Sequence, residues 1–174
     1  DKSKVFQLLD IGCGSGCLLI SCLRELTKSI GTGLDISSDA LAVTKINVSN
    51  YKLNKRVELH KKSIFNFLTL KKFDVILSNP PYLSSAEYDN LEIDVKNFEP
   101  KTALKGGHDG TSHYKKIITF ASMFLKKNGL LALELGDQQF FKIKEMLAEN
   151  SFRVLDKYRL INGEIRCILA SKLG

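Results

Sequence analysis

Val5-Phe6-Gln7-Leu8-Leu9-Asp10-Ile11-Gly12-Cys13-Gly14-Ser15-Gly16 is the stretch on which the fold turns. A short apolar run that breaks into closely spaced glycines has the pattern of a parallel strand buried on both faces, with the glycines turning the chain sharply into a helix. That helix is expected over about residues 16 to 28. Working outward, residues 31 to 36 read as a second strand. Ser37 or Ser38 then stands where a helix cap belongs, ahead of Leu41, Ala42 and Ile46, which are expected to face the core. Residues 56 to 60 form a third strand and 73 to 78 a fourth. The fourth stops at Asn79-Pro80-Pro81-Tyr82, because prolines cannot donate to a ladder.

A long connection follows, from residue 83 to about 111. Ile117, Ile118, Phe120, Ala121, Phe124 and Leu125 lie at helical spacing within 112 to 127, and Asn128-Gly129 reads as the stop of that helix. Residues 130 to 135 give a fifth strand, a helix runs on to 150, and Asn162-Gly163 turns between two further strands at 152 to 158 and 165 to 171. Right-handed crossovers make this an α/β protein. The expected architecture is a doubly wound, seven-stranded, mostly parallel sheet ending in an antiparallel C-terminal hairpin.

Composition sets the outer limits. The 174 residues, 44% hydrophobic and 26% charged, suit one domain with a full core. Twenty-six Lys and Arg against nineteen Asp and Glu give +7, which permits a polyanionic partner without naming one. The longest apolar runs, such as Leu130-Leu131-Ala132-Leu133, fall far short of the roughly 20 residues that cross a bilayer, so no membrane contact is expected. Cys13, Cys17 and Cys22 fall in one loop and helix, with Cys167 far away, which is not a disulfide framework and points to a reducing cytoplasm. No second Cys or His pair follows at ligand spacing, and no metal is expected.

Chemistry enters at two places. In the glycine turn, Gly12, Cys13, Gly14, Ser15 and Gly16 let a ligand approach the backbone closely, and Asp35 ends the second strand nineteen residues beyond Gly16, where a carboxylate can accept from ribose hydroxyls. The spacing is neither the dinucleotide fingerprint nor a P-loop. A nucleoside-containing cofactor fits, either a nicotinamide dinucleotide or S-adenosylmethionine. The second place is Asn79-Pro80-Pro81-Tyr82, at the strand edge where open α/β sheets bind ligands. A planar NH2 group needs two acceptors, which the Asn79 side-chain oxygen and the Pro80 carbonyl can supply, while the prolines stiffen the backbone and Tyr82 offers a flat face. That arrangement suits methyl transfer to nitrogen.

With these motifs the chain resembles class I S-adenosylmethionine-dependent methyltransferases, and in particular the PrmC/HemK family, which methylates the amide nitrogen of glutamine in the Gly-Gly-Gln loop of peptide chain release factors. Asn-Pro-Pro-Tyr alone is shared with adenine-N6 methyltransferases of DNA and RNA, which is the alternative reading. The segment after it resembles the glutamine family: Phe98-Glu99-Pro100, Ala103-Leu104, Gly106-Gly107, Asp109-Gly110, then Leu133-Glu134-Leu135-Gly136 and Gln139. The resemblance implies that Gly12, Cys13, Gly14, Ser15, Gly16, Asp35, Ile36, Ser63, Ile64 and Asn79 contact S-adenosyl-L-methionine. It assigns the substrate amide to Asn79, Pro80, Pro81 and Tyr82. Ser63 stands where relatives carry an acid near the adenine. The resemblance also implies a catalytic piece, residues 1 to 174, of a protein whose N-terminal helical substrate-recognition domain is not in this sequence.

Lys52, Lys55, Arg56, Lys61 and Lys62 surround the third strand, with Glu58 among them. A solvated basic face is expected, and contact with ribosomal or transfer RNA, or with an acidic release-factor surface, is the competing use. Phe65, Phe67, Phe120 and Phe124 are expected in the core rather than as stacking platforms.

Overall fold

The computed structural model describes residues 4–90 and 106–173. In chain order these form β1 (Gln7–Ile11), α1 (Cys17–Glu25), β2 (Ile30–Asp35), α2 (Ser38–Asn50), β3 (Val57–Lys61), a turn of 3-10 helix (Ile64–Asn66), β4 (Phe73–Ser78), α3 (Ser85–Asp89), α4 (Ser112–Phe124), β5 (Leu125–Glu134), α5 (Phe140–Glu149), β6 (Phe152–Arg159) and β7 (Ile165–Lys172). The strands make one sheet in the order β3-β2-β1-β4-β5-β7-β6, with β7 antiparallel to both of its neighbours. This is the doubly wound sheet expected from the sequence, hairpin included. No helix among the described residues is long and apolar enough to cross a membrane.

Side chains alternate across the central strands and feed two cores. Leu8 joins Leu19, Ile20, Leu23, Val48 and Leu53 on the side of α1 and α2. Its neighbour Leu9 joins Ile76, Ile118, Leu131 and Ile143 on the side of α4 and α5. A strand that serves both cores is apolar on both faces, which is why Leu8, Leu9 and Ile11 of β1 are all buried, with Asp10 the one buried acid among them.

Several local expectations change. Ser37 does cap α2, accepting from the Ala40 amide at 3.2 Å, but the helix turns Thr44 and Val48 inward and leaves Ile46 60% exposed. Helix α4 stops at Phe124, and Asn128-Gly129 is not its terminus. Those two residues lie in a break of the β4–β5 ladder between the pairs Phe73↔Leu125 and Val75↔Leu130. Lys126 is drawn onto Asp74 at 2.7 Å there, and Asn128 takes a φ of 60°. The connection after β4 holds the short helix α3, begun by a capping box in which Ser84 and Glu87 bond each other's backbone amides at 3.2 and 2.7 Å. Phe98-Glu99-Pro100 and Ala103-Leu104 lie outside the described residues.

Arg56 is no part of a free basic face. Its guanidinium donates to the carbonyls of Leu23, Leu26 and Ser29 at 3.0–3.1 Å, closing the C-terminal end of α1. Phe67 and Phe120 are buried as expected, whereas Phe65 is 56% exposed beneath the Lys116 ammonium, 4.1 Å from its ring centre.

Candidate active site

The glycine turn leaves β1 with Gly12, Gly14 and Gly16 at φ of 71°, 55° and 81°, a left-handed backbone that side chains disfavour. A Cβ on Gly12 or Gly14 would meet nothing within 4 Å, so the turn presents bare backbone to open space. At Gly16 a Cβ would lie 2.7 Å from the Thr44 methyl. The turn is pinned from both sides. The Gly12 and Cys13 amides donate to the Leu34 carbonyl, the Gly14 amide to the Asp35 carboxylate at 2.9 Å, and the Thr44 hydroxyl to the Gly14 carbonyl at 2.6 Å. Asn47 donates to the Ser15 carbonyl at 2.9 Å. Thr44 is the polar residue that a purely hydrophobic pattern overlooks, although its four-residue spacing from Val48 marks the same helix face.

Beneath the turn lies Asp10, 1% exposed. One carboxylate oxygen accepts the Leu19 amide at 3.3 Å, and the other is buried without a partner among the described residues. Burial, reinforced by the negative charge of Asp35 and opposed by the Leu19 amide, pushes its pKa up to about 7. Burial likewise pushes the Cys13 thiol up to about 12, which makes it packing rather than a nucleophile.

Asp35 is half-buried at the end of β2, its second oxygen accepting the Ser37 amide at 2.9 Å. Ile36 is exposed beside it. Ser63 caps the 3-10 turn, accepting the Phe65 amide at 3.4 Å, and Ile64 packs half-buried against the larger core. The register sets these strand ends side by side: Asp35 opposite Lys61, Ile11 opposite Leu34, and Ile11 opposite Ser78. Open glycine backbone, a carboxylate with lone pairs to spare, flanking isoleucines and an unpaired buried acceptor suit a nucleoside-containing cofactor.

Across from the turn, β4 is tied to β1 by the Ser78 hydroxyl, which donates to the Ile11 carbonyl at 2.7 Å. The next residue, Asn79, is exposed, and its amide has no hydrogen-bond partner among the described residues; Pro80 is buried and Pro81 half-buried. The backbone beyond is clamped. The Gly106 amide donates to the Leu83 carbonyl at 2.7 Å, and the Gln139 side chain donates to the Tyr82 carbonyl at 2.9 Å while accepting the Gly136 amide at 3.1 Å. At Gly110, φ is 71° and a Cβ would lie 2.3 Å from the Tyr82 carbonyl oxygen. Asp109 pairs with Lys142 at 2.6 Å and accepts from both the hydroxyl and the amide of Thr111, contacts that hold its pKa well below the carboxylate range. The Gly-Gly-x-Asp-Gly and Leu-Glu-Leu-Gly segments therefore meet on one object, the chain carrying Tyr82. A pocket of about 160 Å³ beside it is lined by Tyr82, Glu87, Gly136, Asp137, Gln139 and Arg166. Arg166, from β7, has no counterpart in the sequence reading, and no local signal marks it.

The chain is similar to known methyltransferases. The methyltransferase small domain family matches residues 1–95. The chain is 39% identical over 169 residues to the release factor glutamine methyltransferase of Fusobacterium nucleatum subsp. nucleatum, covering 95% of this chain and 47% of that protein. It is also 39% identical over 140 residues to the ribosomal protein uL3 glutamine methyltransferase of Francisella tularensis subsp. tularensis, covering 80% of this chain and 44% of that one. The solved ribosomal protein L11 methylase of Lactobacillus delbrueckii subsp. bulgaricus shares the fold, with a TM-score of 0.69 and 21% identity over 98% of this chain and 72% of that one. The chain spans about a third to a half of the length of the curated relatives it matches.

Proposed function

As the chain belongs to the methyltransferase small domain family, we propose that it uses S-adenosylmethionine to methylate the side-chain amide nitrogen of a protein glutamine, the glutamine of the Gly-Gly-Gln loop of a peptide chain release factor, in the cytoplasm. The observation that carries this reading is Asn79, a planar hydrogen-bonding group without a partner among the described residues at the end of β4, one register step from the open glycine turn. Glutamine rather than adenine is supported by the glycine segment clamped on the Tyr82 backbone and by the names of the two glutamine methyltransferases above.

The backbone of residues 12 to 16, Asp35, Ile36, Ser63 and Ile64 would hold the cofactor. When bound, S-adenosylmethionine supplies an electrophilic methyl group on a sulfonium centre. The Asn79 side-chain oxygen and the Pro80 carbonyl would accept hydrogen bonds from the two N–H groups of the substrate NH2, drawing the nitrogen lone pair out of amide conjugation and orienting it toward the glycine turn. Those same acceptors stabilise positive charge growing on nitrogen, and one of the two protons then leaves to water. Tyr82 would pack on the flat amide. Asp10 is buried beneath the turn with one oxygen unpaired among the described residues.

The test is transfer of a tritiated methyl group to three acceptors: release factor, its Gln→Ala variant in the Gly-Gly-Gln loop, and adenine-containing DNA and RNA. Label on the unaltered factor alone is expected. Label on nucleic acid instead would replace this reading with adenine-N6 methylation.

A further inference from the structure

Tyr82 is held at its carbonyl, its ring edge and its hydroxyl by residues remote in sequence. Gln139 holds its carbonyl. Gly136 makes room for its ring edge, since a Cβ there would lie 2.8 Å from the ring. Arg166, 84 residues away, donates to the Tyr82 hydroxyl and lies over the ring with its guanidinium carbon 4.8 Å from the centre. Arg166 is itself anchored. It lies 3.2 Å from Glu134 and 3.6 Å from Asp137, and its carbonyl accepts the Leu135 amide at 2.9 Å, where β7 runs antiparallel to β5.

From this arrangement we infer that Arg166 is the positioning residue for Tyr82: held by Glu134 and Asp137, it fixes the phenol hydroxyl and covers one ring face, so that only the opposite face is left for the substrate amide. This rests on the function proposed above. Two physical facts carry the inference. A half-buried tyrosine side chain is free to turn about two torsions, and a flat group can pack on it only while the ring is held in one attitude. A guanidinium serves both needs at once, since it is a fork of donors and a plane that stacks on aromatic faces. The paired carboxylates keep that plane from swinging away.

The test has two arms, one independent of methyl transfer. In protein carrying 3-fluorotyrosine at its five tyrosines, Tyr82→Phe identifies the Tyr82 fluorine resonance. Arg166→Ala should then move and broaden that resonance while leaving that of Tyr51, beside Arg24 at the end of α2, in place, and Arg166→Lys should move it less. In the transfer assay on release factor, Arg166→Ala should lower kcat/KM about tenfold, chiefly through the KM for the protein, while the affinity for S-adenosylmethionine stays within about twofold. Arg166→Lys should recover part of the loss. In a Tyr82→Ala background the same Arg166→Ala change should cost nothing further.

An unmoved Tyr82 resonance would overturn the inference. So would a full additional loss in the Tyr82→Ala background, which would mean that Arg166 meets the substrate itself. If the unaltered enzyme transfers nothing to release factor, the functional reading fails, and the fluorine spectra alone decide whether Arg166 sets the attitude of Tyr82.

Discussion

Asp10→Asn changes one atom beneath the glycine turn and should make the protein more stable at neutral and alkaline pH. The side chain is 1% exposed, with one oxygen on the Leu19 amide at 3.3 Å and the other unpaired. Its pKa stands near 7 against an ordinary 3.8. Folding therefore favours the protonated form. Below about pH 4 the carboxyl is neutral in both the folded and the unfolded chain, and it costs nothing. As pH rises from there toward 7 the unfolded chain ionises while the folded chain does not, so stability falls, and above about 7 the whole penalty is present. The interval between the two values, at about 1.4 kcal/mol per pH unit, corresponds to a penalty of about 4 kcal/mol at pH 8. Asparagine keeps an acceptor for the Leu19 amide and carries no charge. Urea unfolding without added cofactor, from pH 5 to 8, should show the parent protein losing stability along this range and Asp10→Asn staying level. Glu58, Glu87 and Asp109, whose pKa values are lowered by their partners, contribute fully throughout this range and do not mask the effect. A parent protein equally stable at pH 5 and pH 8, or an Asp10→Asn protein with the parent's slope, would refute the reasoning.

Asn79→Ala should lower methyl transfer by about a hundredfold or more while isothermal titration finds S-adenosylmethionine affinity within about twofold, because the glycine turn, Asp35, Ile36, Ser63 and Ile64 are left in place. Gly110→Ala should cost about 2 kcal/mol or more in thermal unfolding, since its φ is 71° and the new Cβ would lie 2.3 Å from the Tyr82 carbonyl oxygen. Arg56→Met should cost about 2 kcal/mol by losing three carbonyl contacts at the end of α1, with methyl transfer unchanged at temperatures where the variant stays folded.

Those signals that the sequence displays are contiguous ones. Strand β4 runs from Phe73 to Ser78 as expected because its end is enforced locally by two prolines, and the glycine turn is legible because its constraint is a backbone conformation. The inward face of α2 differs from the one its hydrophobic residues suggest for a physical reason. Leu41, Ala42 and Ile46 outweigh it in hydrophobicity, while Thr44 can be buried because the Ala40 and Gly14 carbonyls both accept its hydroxyl. Arg56 looks like one more charge in a basic run until the fold brings three helix-end carbonyls to it. Arg166 and Gln139 act on a residue 84 and 57 positions away, and no periodicity or spacing encodes such a contact.

The two halves of the candidate site differ in the same way, and the register between β1 and β4 joins them. The cofactor half is built from the turn after β1 and the ends of its neighbours, so each part reports itself locally. The acceptor half gathers Asn79 to Tyr82, the glycine segment, the start of α5 and β7, and none of these is a site alone. What brings Asn79 to the glycine turn is the pairing of Leu8 with Val75, Leu9 with Ile76 and Ile11 with Ser78, locked by the Ser78 hydroxyl on the Ile11 carbonyl. A slip of one residue would turn Asn79 to the opposite face, and a slip of two would carry it about 7 Å along the strand. Either slip has a cost in packing. Leu8 and Val75 belong to the core on the α1 side, whereas Leu9 and Ile76 belong to the core on the α4 side, so a one-residue shift would set each core's residue against the other's. The apolar alternation of these two strands therefore also spaces the methyl-donor half of the proposed site from its acceptor half.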